Sequence, residues 1–146
     1  MTASRVEPAL RWALPFLTLV WVLFLFWVFT STRGAEGTFG VSPDPFHRLI
    51  PTAAHLGGYG VLAGLIGLNL WGVTRLATRF WAVLATAFLV ATVYGAALEL
   101  YQTTLPSRYG SWGDVGLNAA GASAALVALT ALRRWRPAAA ARSPER

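Results

Sequence analysis

A few polar residues stand out in a chain that is otherwise strongly apolar: His55, Tyr59, Glu99, Gln102, Arg108, Asp114 and Asn118. Glu99 is the hardest to reconcile with its surroundings. It sits in Gly95-Ala-Ala-Leu-Glu99-Leu-Tyr101, within a long apolar run. A carboxylate in such a place must be paired, protonated or wetted. His55 is the one histidine inside an apolar run, and Tyr59 follows it at the four-residue spacing that puts both on one helix face. Glu99 and His55 are candidates for shared acid and base work, because burial and neighbouring charge tune both groups. Arg108 has the planar fork that grips a phosphate or carboxylate at two points. Asn118 and Gln102 could orient a substrate or a developing oxyanion. Asp114 and Tyr59 complete the candidate binding set. No strong nucleophile motif is present, and Ser107 and Ser111 are candidates by proximity alone.

Each residue also has a plainer role. Asp114 is a good helix N-cap, with a charge suited to the positive helix end. Pro106 can simply end a helix. Asn118 can serve as an interhelical hydrogen-bonding group. Arg108 can bridge to Glu99 or Asp114. No cofactor or metal is expected. A metal could draw on His55, Glu99 and Asp114 with His47, but one helical histidine and separated carboxylates are a weak ligand signature.

Composition says what must position these groups. The apolar fraction is 55% over 146 residues, and the mean hydropathy is +0.52. A soluble chain of this size could not hide so much apolar surface. Four segments reach the roughly 20 apolar residues that a ~30 Å hydrocarbon core requires. They run from about Trp12 to Thr30, Thr52 to Val73, Phe80 to Thr103 and Val115 to Leu132. The fold class is therefore all-α: a single-domain integral membrane bundle of four transmembrane helices. The first segment is too long for a signal-peptide core and no A-x-A site follows it, so it reads as a retained helix. The tail from Pro137 to Arg146 is rich in Ala, Pro and Arg and reads as disordered.

Orientation follows from the basic residues. All twelve are arginine, cysteine is absent, and the net charge is +6. In a soluble protein that charge would suggest nucleic acid; here no nucleic-acid partner is expected. The arginines flank the apolar runs. An N-in, C-in topology puts nine of them inside and only Arg33, Arg48 and Arg108 outside. Trp12, Trp71, Trp81, Trp112 and Trp135 fall near the helix ends, where indole rings favour the interface. This topology brings His55, Glu99, Gln102, Arg108, Asp114 and Asn118 to one depth, near the outer leaflet. The second, third and fourth helices are expected to enclose them, with the first packed outside. Small residues at helical spacing, Gly57, Gly60, Gly64 and Gly67 in the second helix and Gly116, Ala119, Ala120, Ser123 and Ala124 in the fourth, mark tight helix packing.

The ordered polar set resembles the VanZ-like family. The matching elements are His55-x3-Tyr59, Tyr94-Gly95-x3-Glu99-x2-Gln102-x3-Pro106-x-Arg108 and Ser111-x2-Asp114-x3-Asn118-x2-Gly121. The resemblance covers about Phe46 to Leu132. One departure is visible: the family often has a lysine shortly before the histidine, and here the nearest basic residue is Arg48. The resemblance implies a small bacterial membrane protein of four or five helices, of a type named for an accessory factor of teicoplanin-type glycopeptide resistance. Such proteins are common outside resistance clusters, so resistance does not follow from the match.

Two functions compete at this stage. One is an inner-membrane enzyme, a hydrolase or transferase acting at the outer leaflet on a lipid head group or an anionic lipid-linked envelope precursor. The other is a non-catalytic accessory protein that binds an anionic lipid, an antibiotic or a protein partner at the same place. Transport is disfavoured, because four helices leave little room for a path and no helix is broken at mid-membrane.

Overall fold

A computed structural model of the chain describes residues 8–31, 46–73, 79–106 and 108–140, with side chains for 12–31, 49–71, 79–106 and 108–135. Four helices account for almost all of them: α1 (Pro8–Thr30), α2 (Phe46–Val73), α3 (Phe80–Gln102) and α4 (Trp112–Ala140). Each contains a stretch long and apolar enough to cross a bilayer. Large apolar side chains face outward all round the bundle. Phe16, Leu23 and Trp27 on α1, Leu89 and Leu100 on α3 and Val127 on α4 are all exposed. That much outward apolar surface belongs against lipid. The chain is a multi-pass membrane protein.

Successive helices run antiparallel, so α2 and α4 run parallel and start at the same end of the bundle. Their backbones nearly touch. A Cβ at Gly60 would lie 3.1 Å from the Gly121 carbonyl oxygen, and a Cβ at Gly121 would fall into the Leu56 carbonyl. One and two turns further on, Gly64 meets Ala125 and Gly67 meets Leu129. In lipid, where the hydrophobic effect does not draw helices together, such close approach is what holds them. Side-chain hydrogen bonds tie the middle of α1 to its neighbours. Trp21 Nε1 donates to the Gly58 carbonyl at 2.9 Å, Asn69 Nδ2 to Thr18 Oγ1 at 2.7 Å, and the Tyr94 hydroxyl to the Val22 carbonyl at 2.7 Å. The core beneath the site is formed by Leu25, Phe29, Tyr59, Leu62, Ala91, Leu98 and Ala122.

Two boundaries differ from those expected. α2 begins at Phe46 rather than near Thr52, carrying Pro51 within it. That proline lies close enough to the helix start to remove few backbone bonds. α4 begins at Trp112 and continues to Ala140 instead of ending near Leu132. Residues 137–140, expected in a disordered tail, extend the helix, in keeping with alanine's high helix propensity. The remainder of that tail, 141–146, lies outside the described residues, as does the connection 32–45.

Candidate functional site

The glycine contact between α2 and α4 sets the geometry of the polar cluster. His55 precedes Leu56, and Asn118 lies one turn before Gly121, so the backbone contact brings the two side chains together. His55 Nδ1 lies 2.8 Å from Asn118 Oδ1. Both residues are buried, Asn118 completely. Gly95 on α3 makes room for this pair: a Cβ there would lie 2.6 Å from Asn118 Nδ2 and 2.9 Å from the Tyr59 ring.

α3 ends at the same depth and supplies Glu99, which is 4% exposed. The link to α4 folds back over it. A Cβ at Gly110 would collide with the Glu99 carbonyl, so only glycine permits the approach. The next residue, Ser111, then donates its backbone N–H to Glu99 Oε2 at 2.9 Å. Ser111 also caps α4, its Oγ accepting from the Gly113 N–H at 3.1 Å. The expected N-cap was Asp114. It lies instead in the first turn, where its charge still complements the helix end. That position leaves its carboxylate free to face His55, with Nε2 to Asp114 Oδ2 at 4.0 Å. Glu99 Oε1 approaches the other ring nitrogen, Nδ1, at 3.9 Å. Neither distance is a hydrogen bond.

His55, Glu99, Asp114 and Asn118 thus come together as expected. Tyr59 joins them from below, its ring stacked at 8° on the imidazole and 6.4 Å away. Its buried hydroxyl has no hydrogen-bond partner among the described residues. Gln102 and Arg108 do something else. Gln102 Nε2 donates to the Phe29 carbonyl at 2.7 Å, and Arg108 donates to the Ser31 carbonyl at 3.1 Å. Both clasp the end of α1. No ion pair within 4.0 Å joins Arg108 to Glu99 or Asp114, so the expected bridge to Glu99 is replaced by the Ser111 backbone N–H. α1 is also not outside the site. Phe29 packs on the His55 ring with centroids 4.4 Å apart and walls off one side. Ser107 and the side chain of His47 lie outside the described residues.

A groove of about 480 Å³ runs along the outside of α3 and α4 to this cluster. Val93, Ala96, Ala97, Leu100 and Val115 line its apolar length, and Glu99 and Ser111 stand at its polar end. Leu100 and Trp112 on its margin are exposed, so the groove opens on the lipid-facing surface. The arrangement can hold an apolar chain beside a buried acid–base pair. No family model, curated protein or solved structure matches the chain.

Proposed function

We propose that this chain is a VanZ-like protein of the bacterial inner membrane that acts as a hydrolase or transferase on a lipid head group or lipid-linked envelope precursor at the outer leaflet. The observation that carries this reading is the groove: an apolar channel open to lipid that ends at Glu99 and Ser111. An acyl or polyprenyl chain suits its length, and a polar head suits its end. His55 and Glu99 share the acid and base work on the substrate, Asn118 fixes the imidazole, and Asp114 balances the charge that develops on it. Orientation toward the outer face rests on the arginine bias, nine against three. A role in glycopeptide resistance would follow if the substrate were a cell-wall precursor.

The test is a deletion strain, with lipid-linked precursors and glycolipids profiled by mass spectrometry. Glu99→Gln, at normal abundance, should reproduce the deletion profile. Ala97→Trp, which fills the groove from its exposed side, should do the same. A normal profile in both variants would refute catalysis on a lipid and leave the accessory-binding reading.

A further inference from the structure

The expectation that His55, Glu99 and Asp114 form no metal site conflicts with their placement. One ring nitrogen of His55 and one carboxylate oxygen from each of the other two lie within 4.8 Å of one another. In a tetrahedral site, metal–ligand bonds of ~2.0–2.2 Å put two ligands of one ion roughly 3.4 Å apart. His55 Nε2 and Asp114 Oδ2 lie 4.0 Å apart, so closing the set on one ion needs side-chain shifts of about 0.6–1.4 Å, within reach of rotamer adjustment.

The surrounding hydrogen bonds point the same way. His55 Nδ1 is committed to Asn118 Oδ1, so the ring carries its proton there and keeps the Nε2 lone pair. Glu99 is anchored through Oε2 by the Ser111 N–H, which leaves Oε1 as its free donor atom. Holding a ligand by its other atom is how proteins orient metal ligands. Asp114 receives no side-chain hydrogen bond among the described residues. Arg108, the nearest guanidinium in sequence, is turned to Ser31. Two carboxylates therefore flank one imidazole, with Asp114 4.0 Å from its Nε2 lone pair. In an apolar span, such a concentration of negative charge calls for a cation.

We infer that His55 Nε2, Glu99 and Asp114 bind one divalent cation of the zinc class. With no cysteine in the chain, the donors are one nitrogen and two oxygens. Three protein ligands leave one coordination position open, which is the pattern of catalytic rather than structural zinc. Glu99 lines the groove, so that position is available to a water or to a phosphate oxygen of the occupant.

The inference uses the residues of the proposed function, so its test reads metal binding and not activity. The full-length protein is purified in detergent, stripped with a chelator and dialysed against one equivalent of Zn²⁺. Metal per chain is then measured by mass spectrometry, and thermal unfolding is followed with and without Zn²⁺. The wild type should retain about one ion per chain and unfold at a higher temperature with Zn²⁺ present. His55→Ala, Glu99→Gln and Asp114→Asn should each lose the ion. Asn118→Ala, which leaves the ligands in place, should weaken affinity ~10–100-fold. Monodisperse elution and unchanged helical circular dichroism show which variants remain folded. A wild type that retains no ion and shows no thermal shift would overturn the inference. Zinc retention unaffected by His55→Ala, or preference for Mg²⁺ or Mn²⁺ over Zn²⁺, would overturn it too. If no cation binds while Glu99→Gln still reproduces the deletion profile, the metal fails and the acid–base function stands.

Discussion

His55 Nδ1 and Asn118 Oδ1, on the two parallel helices α2 and α4, lie 2.8 Å apart in a buried contact. An amide oxygen only accepts, so this bond places the imidazole proton on Nδ1 and leaves Nε2 basic. Nitrogen-15 spectra of histidine-labelled protein should show His55 as the Nδ1–H tautomer near neutral pH, with His47→Ala supplying the assignment. Asn118→Ala should abolish that preference. A dominant Nε2–H form in the wild type would show that the amide is turned the other way.

The partners of Glu99 decide a second prediction. Its carboxylate takes a backbone N–H from Ser111 and makes no ion pair with Arg108. Glu99→Gln keeps an oxygen for that bond and should cost about 1 kcal/mol of stability or less. Activity should fall by ~10²–10⁴-fold if the carboxylate carries the proton. Arg108→Gln removes a different bond, to Ser31. The two losses should therefore add to within about 0.5 kcal/mol in the double variant. Recovery of stability in Glu99→Gln with Arg108→Gln would mean that the two residues pair after all. Thermal unfolding in detergent measures each step.

Much of the cluster was legible because ionisable side chains in apolar spans are conspicuous. His55 and Glu99 needed only their spans and the alternation of helix direction to be placed at one depth. Asn118 followed from its spacing after Asp114. What the sequence concealed was of three kinds. Phe29 is one apolar residue among many on α1, so nothing in the pattern marked it as the wall against His55. Arg108 and Gln102 bond to main-chain carbonyls, and a backbone acceptor leaves no trace in side-chain spacing. Ser111 and Asp114 are both good caps, and only the Gly110 approach to Glu99 decides that Ser111 takes the role.

The glycines of α2 and α4 make a prediction with its own control. A methyl at Gly121 would enter the Leu56 carbonyl, so Gly121→Ala must push the two helices apart. Overpacking of this kind should cost ~1–3 kcal/mol. The same shift would stretch the His55–Asn118 bond nearby, so function should fall along with stability. Gly116 lies on the same helix, and a Cβ there meets nothing within 4 Å. Gly116→Ala should be neutral or slightly stabilising, since alanine favours the helix by ~1 kcal/mol over glycine. Equal effects of the two substitutions would argue against the backbone contact.

Orientation decides whether the site meets the outer leaflet at all. From the arginine distribution, the α3–α4 link is expected outside and the end of α4 inside. The absence of cysteine makes this directly measurable, because any introduced thiol is the only one. Tyr109, in the link beside Glu99, is 91% exposed, and Trp135, at the far end of α4, is 79% exposed. Both therefore tolerate replacement with little effect on packing. Tyr109→Cys should react in intact cells with a maleimide that cannot cross the membrane. Trp135→Cys should react only after permeabilisation, and a reporter fused after Arg146 should behave as cytoplasmic. The reverse labelling pattern would turn the cluster toward the cytoplasm. His55, Glu99 and Asp114 would still be gathered as described, but a substrate in the outer leaflet would be beyond their reach, and the search would move to head groups of the inner leaflet.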